Sequence, residues 1–344
     1  MGVSLGPACD QSKEGGRSMS GSERSLGACN YIHLNKMIII FIACLVFILS
    51  NSAFAQDVKI SPRSFGEFIP DLYQPAAIID DDDRRDEASY AREKGVDPAV
   101  IKKRFAPTGI IRCRGKDTGS GQVSYKRNVI TTAAHVFIDY DSCEIKNKIE
   151  DCVFMTEMDG RNIVRNLKNM VGNGLIKKCP NQKRYDDWAV LRLSAPVPET
   201  VQPYKLADVE VQDNERVIQI SARAGDFYSV NRRTGRREYP KAIGDCKVKK
   251  VYLWTPGPIY FSSNCDTGGG SSGGAVIRMQ SEQPILLGIL VSNDEPAQDE
   301  ARATKGNRPN PNRGAYSEGK WASYHIPVTG EFRAAILRAG DSDD

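Results

Sequence analysis

Three short stretches of this 344-residue chain carry side chains that could together perform acyl transfer. A histidine, His135, follows Thr131-Thr132-Ala133-Ala134. An aspartate opens Asp187-Trp188-Ala189-Val190-Leu191, and two serines stand in the glycine-dense run Gly268-Gly269-Gly270-Ser271-Ser272-Gly273-Gly274. A serine hydroxyl is a poor nucleophile at neutral pH, so attack on a carbonyl needs a base to take its proton and a third group to orient that base. Ser272, His135 and Asp187 can fill those roles. Their order along the chain, histidine then aspartate then serine, separates the scaffolds that use such a set.

Each residue also has a plainer reading. A lone histidine in an alanine-rich stretch is more often a satisfied core residue, and glycine runs often mark only a flexible loop. Asp186 and Asp187 are adjacent, so in a strand their side chains point to opposite faces and only one can reach His135. Asp187 directly precedes the apolar run; the choice of Asp187, with Asp186 facing solvent or the turn, comes from the family resemblance given below. His325 has no comparable surroundings and reads as structural.

The elements that must position these groups are short. Apolar runs such as Val129-Ile130, Cys152-Val153-Phe154-Met155, Val217-Ile218-Gln219-Ile220 and Ile285 to Val291 recur at strand length, separated by turn residues. This predicts an all-β protein of two packed barrels, about 106–198 and about 199–338, with a boundary near Ala195-Pro196-Val197-Pro198. Phe332, Ile336 and Leu337 are spaced for one face of a C-terminal helix, which is expected to dock on the second barrel. Asp294 to Lys320 is polar and rich in turn residues, and is expected to be a loop beside the cleft.

Upstream, Met37 to Leu49 is an apolar run too short for a comfortable membrane span, and Ala53-Phe54-Ala55 follows it as a cleavage signal. Residues 37–55 therefore read as a signal peptide, 1–36 as an extension that is not necessarily translated, and cleavage is expected before Gln56. A secreted or periplasmic protein without a stable membrane anchor results. Residues 56–105, with the charge run Asp80-Asp81-Asp82-Asp83-Arg84-Arg85-Asp86-Glu87, read as a propeptide or solvated linker, with a short helix over Ala88 to Arg104 broken around Gly95 and Pro98.

Export agrees with the cysteines. Six of the nine lie beyond the signal, an even number for an oxidising compartment. Cys246 and Cys265 are expected to pair because they flank a hairpin leading into the serine loop; the pairing of Cys113, Cys143, Cys152 and Cys179 stays open. No two of these cysteines have zinc-ligand spacing, so no metal or other cofactor is expected. The net charge of +4 is small for this length, and the basic stretch 231–250 lacks interleaved aromatics. No nucleic-acid partner follows.

The three motifs together resemble the signature regions of trypsin-like, chymotrypsin-fold serine peptidases, most closely the bacterial secreted members, over about residues 106–338. The separations of 52 and 85 residues between His135, Asp187 and Ser272 are compatible with that family. The resemblance implies two six-stranded antiparallel barrels, a polypeptide substrate, and catalysis by His135, Asp187 and Ser272, with the backbone N–H groups of Gly270 and Ser272 forming the oxyanion hole. It also places Asp266, six residues before Ser272, at the bottom of the primary pocket. That gives a slight preference for Arg or Lys, although a turn aspartate bonding backbone is the rival reading; in that case Val291, Ser292 and Asn293 shape the pocket. One departure stands out: digestive-type members carry an aspartate before the nucleophile to pair with a new N-terminal ammonium, and here the residue is Ser271. The site is then expected to form as the chain folds. A catalytically silent homologue serving as a binding module is the alternative.

Overall fold

The computed structural model describes residues 77–140, 142–175, 186–235, 237–254, 257–280, 282–294 and 312–341. The expected signal segment, Cys179 and most of the loop after Asp294 lie outside these residues.

The chain enters with strand β1 (Ala77–Ile79) and helices α1 (Glu87–Lys94) and α2 (Pro98–Phe105). Six strands follow: β2 (Thr108–Cys113), β3 (Lys116–Val123), β4 (Val129–Thr132), β5 (Cys152–Met158), β6 (Arg161–Asn173) and β7 (Ala189–Leu193). They close into an antiparallel barrel in the order β2-β3-β4-β7-β6-β5. Alternation drives the closure. In β5 the residues Cys152, Phe154, Thr156 and Met158 are buried while their neighbours are less so, the period-two pattern of a strand with one face on a core.

The second half contributes β8 (Lys205–Leu206), β9 (Arg216–Ser221), the small hairpin β10 (Ser229–Val230) and β11 (Arg237–Glu238), then β12 (Ala242–Trp254), β13 (Gly257–Ser263), β14 (Ala275–Gln280), β15 (Gln283–Asp294), β16 (Asn312–Gly314) and β17 (Ala322–Pro327). Strands β14-β9-β12-β13-β17-β15 form a sheet that the β14–β15 pairing closes on itself, and β8 adds to β15 in parallel. Two closed six-stranded antiparallel barrels and a C-terminal helix, α3 (Gly330–Asp341), are thus the architecture. Disulfides Cys113–Cys152 and Cys246–Cys265 staple one barrel each, and Cys143 is disulfide-bonded as well.

Two elements differ from the sequence reading. Helix α3 packs on β4, β6 and β7 of the first barrel rather than on the second. The reason is a specific seat: Phe332 stacks on Trp188 with ring centroids 5.2 Å apart, and Arg192 donates from Nε and Nη2 to the carbonyl of Ala339, satisfying an orphan acceptor of the last turn.

The stretch from Ala77 is no free tether either. Ala77, Ile78 and Ile79 are buried, β1 pairs in parallel with β16, and Arg85 exchanges two backbone hydrogen bonds with Ile243 of β12. Asp86 caps α1 by accepting from the Ser89 amide, Gly95 ends it at φ +64°, and Asp97 with Pro98 starts α2. Tyr90, Ile101 and Phe105 then sink into the core, each contributing roughly 1.5–3 kcal/mol by area removed from water.

Candidate active site

His135 lies in a single 3-10 turn, Ala134–Val136, just after β4. Asp187 immediately precedes β7. Strands β4 and β7 are neighbours, with Thr132 opposite Ala189, so the barrel register sets the two side chains together. Asp187 is fully buried and gives both carboxylate oxygens to one residue: Oδ1 accepts the backbone N–H of His135 at 2.8 Å, and Oδ2 lies 2.6 Å from its Nδ1. A carboxylate so placed accepts a hydrogen bond from Nδ1–H, favouring the tautomer whose Nε2 carries a lone pair. The imidazole is mostly covered, with the Tyr140 ring stacked 5.9 Å away.

Asp186 and Asp187 both precede β7 rather than lying in it, so strand alternation does not separate them, and Asp186 does not face solvent as expected. It is only 7% exposed. The neighbouring chain packs on its backbone so closely that a Cβ on Gly174 would fall 2.1 Å from its carbonyl oxygen.

Ser272 belongs to the loop between β13 and β14 and reaches the first barrel through its main chain. Its carbonyl accepts the Ser120 N–H at 2.8 Å, while Ser120 Oγ donates to the Gly270 carbonyl at 2.9 Å and accepts the Ala222 N–H at 3.0 Å. Gly270 and Gly273 both take positive φ, +92° and +80°. At Gly273 the requirement is absolute, because a Cβ would fall 2.2 Å from both the Ser120 carbonyl and Thr132 Oγ1. Ser271 turns inward: its Oγ accepts the Gly268 N–H at 3.1 Å, and its backbone closes turns with Gly268 and Gly274. Of the two adjacent serines, Ser271 is committed to the loop's own fold.

Asp266 bonds the backbone of the entering segment. Its carboxylate accepts the Ile79 N–H at 2.7 Å and the Asp83 N–H at 2.8 Å, and it is 6% exposed. Burial pushes its carboxyl up to about 7, against the two amides that favour the ionised form. Val291 is buried and Ser292 half-buried on β15, across from Tyr324 of β17 in the case of Ser292. His325 is fully buried, with Nε2 2.7 Å from Ser263 Oγ and its ring stacked on Phe261, so it packs the second barrel. Among the described residues no cluster of three or more His, Cys, Asp or Glu is arranged to hold a metal, and no helix is long and apolar enough to cross a membrane.

Residues 119–289 match the trypsin-like peptidase domain family. The chain carries a trypsin-like peptidase domain. The matched span opens inside β3 and closes inside β15, so it takes in His135, Asp187 and Ser272 and leaves β1, α1 and α2 outside. Among solved structures, the "Structure of Glu endopeptidase in complex with MPD" superposes with a TM-score of 0.54 at 18% identity, covering 77% of this chain and 100% of that one. At that identity the likeness is one of fold, a chymotrypsin-like pair of barrels. No curated protein matches the chain in sequence.

Sequence reasoning missed three residues that bear on this site. Arg84, Asp226 and Ser120 lie outside every motif, yet each touches the segment that carries Ser272 or a loop packed on it.

Proposed function

We propose that the chain is an exported serine endopeptidase that hydrolyses polypeptide bonds through an acyl-enzyme. Ser272 attacks the scissile carbonyl, His135 takes its proton and later returns it to the leaving amine, and Asp187 holds the imidazole in the Nδ1–H form. The N–H groups of Gly270 and Ser272 receive the oxyanion. The observation that carries the reading is the pair of hydrogen bonds between Asp187 and His135, backbone and ring at once, with the carboxylate fully buried. A carboxylate serving only to satisfy a core histidine has no need to clamp its orientation from two sides.

Export is supported by disulfides in both barrels, which persist in oxidising compartments. Primary specificity is not assigned to Asp266, since both its oxygens bind the N-terminal segment; Val291 and Ser292 on β15 stand in its place.

A fluorophosphonate probe tests the proposal. Labelling that maps to Ser272, is abolished in Ser272→Ala and persists in Ser271→Ala is the expected result, with turnover of a protein substrate falling by several orders of magnitude only in the first variant. A wild-type protein that neither labels nor cleaves would be a silent homologue that binds without cutting.

A further inference from the structure

The segment upstream of the matched family span contains an arginine that the proposed chemistry does not use. Arg84 has a side chain 4% exposed. Its guanidinium forks onto Asp226, Nη1 to Oδ1 at 3.0 Å and Nη2 to Oδ2 at 2.6 Å. It also donates from Nε and Nη2 to Asp82 at 2.9 and 3.0 Å, and lies 5.4 Å over the Phe227 ring. Bidentate pairing of this kind fixes direction as well as distance.

What Asp226 touches next gives the pair its meaning. A Cβ on Gly268 would stand 2.2 Å from Asp226 Oδ1, so the carboxylate rests against the bare Cα of that glycine. The preceding residue, Gly225, donates its N–H to the Gly269 carbonyl at 2.7 Å. The run 225–226 therefore forms a bed under Gly268 and Gly269, and the next N–H in the chain is that of Gly270. The same segment grips the near end of the loop: Ala77 accepts the Thr267 N–H at 3.0 Å, and Ile79 and Asp83 hold Asp266.

We infer that Arg84 is a positioning residue for the oxyanion pocket, acting through Asp226 to fix the Gly268–Gly270 main chain, and that residues 77–86 are a working part of the enzyme. This rests on the serine-peptidase reading. It also accounts for Ser271. A chain with no carboxylate beside its nucleophile cannot organise this loop with a new terminal ammonium, and here an internal guanidinium acts on the loop from the other side.

The logic predicts a selective defect. Arg84→Met removes the fork but leaves His135, Asp187 and Ser272 in place, so kcat and the second-order rate of fluorophosphonate inactivation should fall together by about 100-fold, the scale of a misplaced catalytic group, with KM within about twofold. Asp226→Asn, nearly isosteric, should give a defect of the same kind. The double variant should lose no more than the worse single, since both break one link. Far-UV circular dichroism and urea midpoints are recorded for all three, and rates are referred to the folded fraction.

Folded Arg84→Met or Asp226→Asn protein with kcat and inactivation rate within twofold of wild type overturns the inference, as does a change confined to the urea midpoint. If Arg84→Met does not fold, Asp226→Asn decides alone by the same criterion. Absence of labelling in the wild-type protein strikes the functional reading instead, so the two failures are distinguishable.

Discussion

At the scale of single residues, the site depends on groups that tolerate no near substitute. Asp187→Asn keeps shape but can no longer accept both the His135 amide and the ring N–H as a charge. Turnover should drop about 10⁴-fold while the urea midpoint of the folded protein moves little, measured by kcat and denaturation side by side. Gly273→Ala should be worse for the fold: positive φ and a Cβ 2.2 Å from two oxygens force the loop off Ser120, at a cost of a few kcal/mol, and labelling at Ser272 should vanish. Asp266→Asn tests the pocket. With its carboxylate spent on Ile79 and Asp83, the variant should keep the wild-type preference across peptides differing only before the scissile bond. A lost preference for Arg or Lys would return Asp266 to the pocket.

Among elements, the legible ones were those whose cause is local. The three motifs, the strand alternation and the Phe332–Ile336 face are each contained in fewer than ten residues, and all were visible in the sequence. The role of residues 77–86 was not. Asp80 to Glu87 has the composition of a solvated run, and the partners that fold it lie far along the chain: 142 residues separate Arg84 from Asp226, and 187 separate Ile79 from Asp266. No window statistic holds that information. The docking side of α3 was hidden for a related reason, since its apolar face says only that it must be covered, whereas Trp188 and Arg192 say by what. Phe332→Ala should therefore lower stability by about 3–5 kcal/mol, read as a shift in urea midpoint. Replacing Cys246 and Cys265 by serine should cost about 3 kcal/mol through the unfolded state, the bridged positions being 19 apart.

For the whole molecule, two buried groups make stability depend on pH in opposite senses. Burial lowers the His325 imidazole to about 3, against an unfolded value near 6.5. Between those two values the unfolded chain binds a proton that the native chain refuses, so this residue's contribution is fully present above about pH 6.5 and is lost as the pH falls toward 3. Asp266, raised to about 7, acts in the opposite sense over pH 4 to 7, which masks the slope in the wild type alone. The difference in urea midpoint between wild type and His325→Gln, followed from pH 7 to 4, isolates it: the wild type should lose stability faster, by up to about 1.4 kcal/mol per pH unit. Equal slopes would remove His325 as the source.

Ser120 ties the two barrels at the loop it holds, and that tie has a bearing on biosynthesis. A chain emerging N-terminus first can complete the His135–Asp187 pair before residue 272 is made, but Ser120 must wait for the Gly270 carbonyl, 150 residues further on. The segment from Ala77 must wait still longer for β16. The proposed chemistry therefore needs contacts between parts of the chain made far apart in time. On the proposed reading, a half-folded molecule carries a base and its orienter but no seated nucleophile.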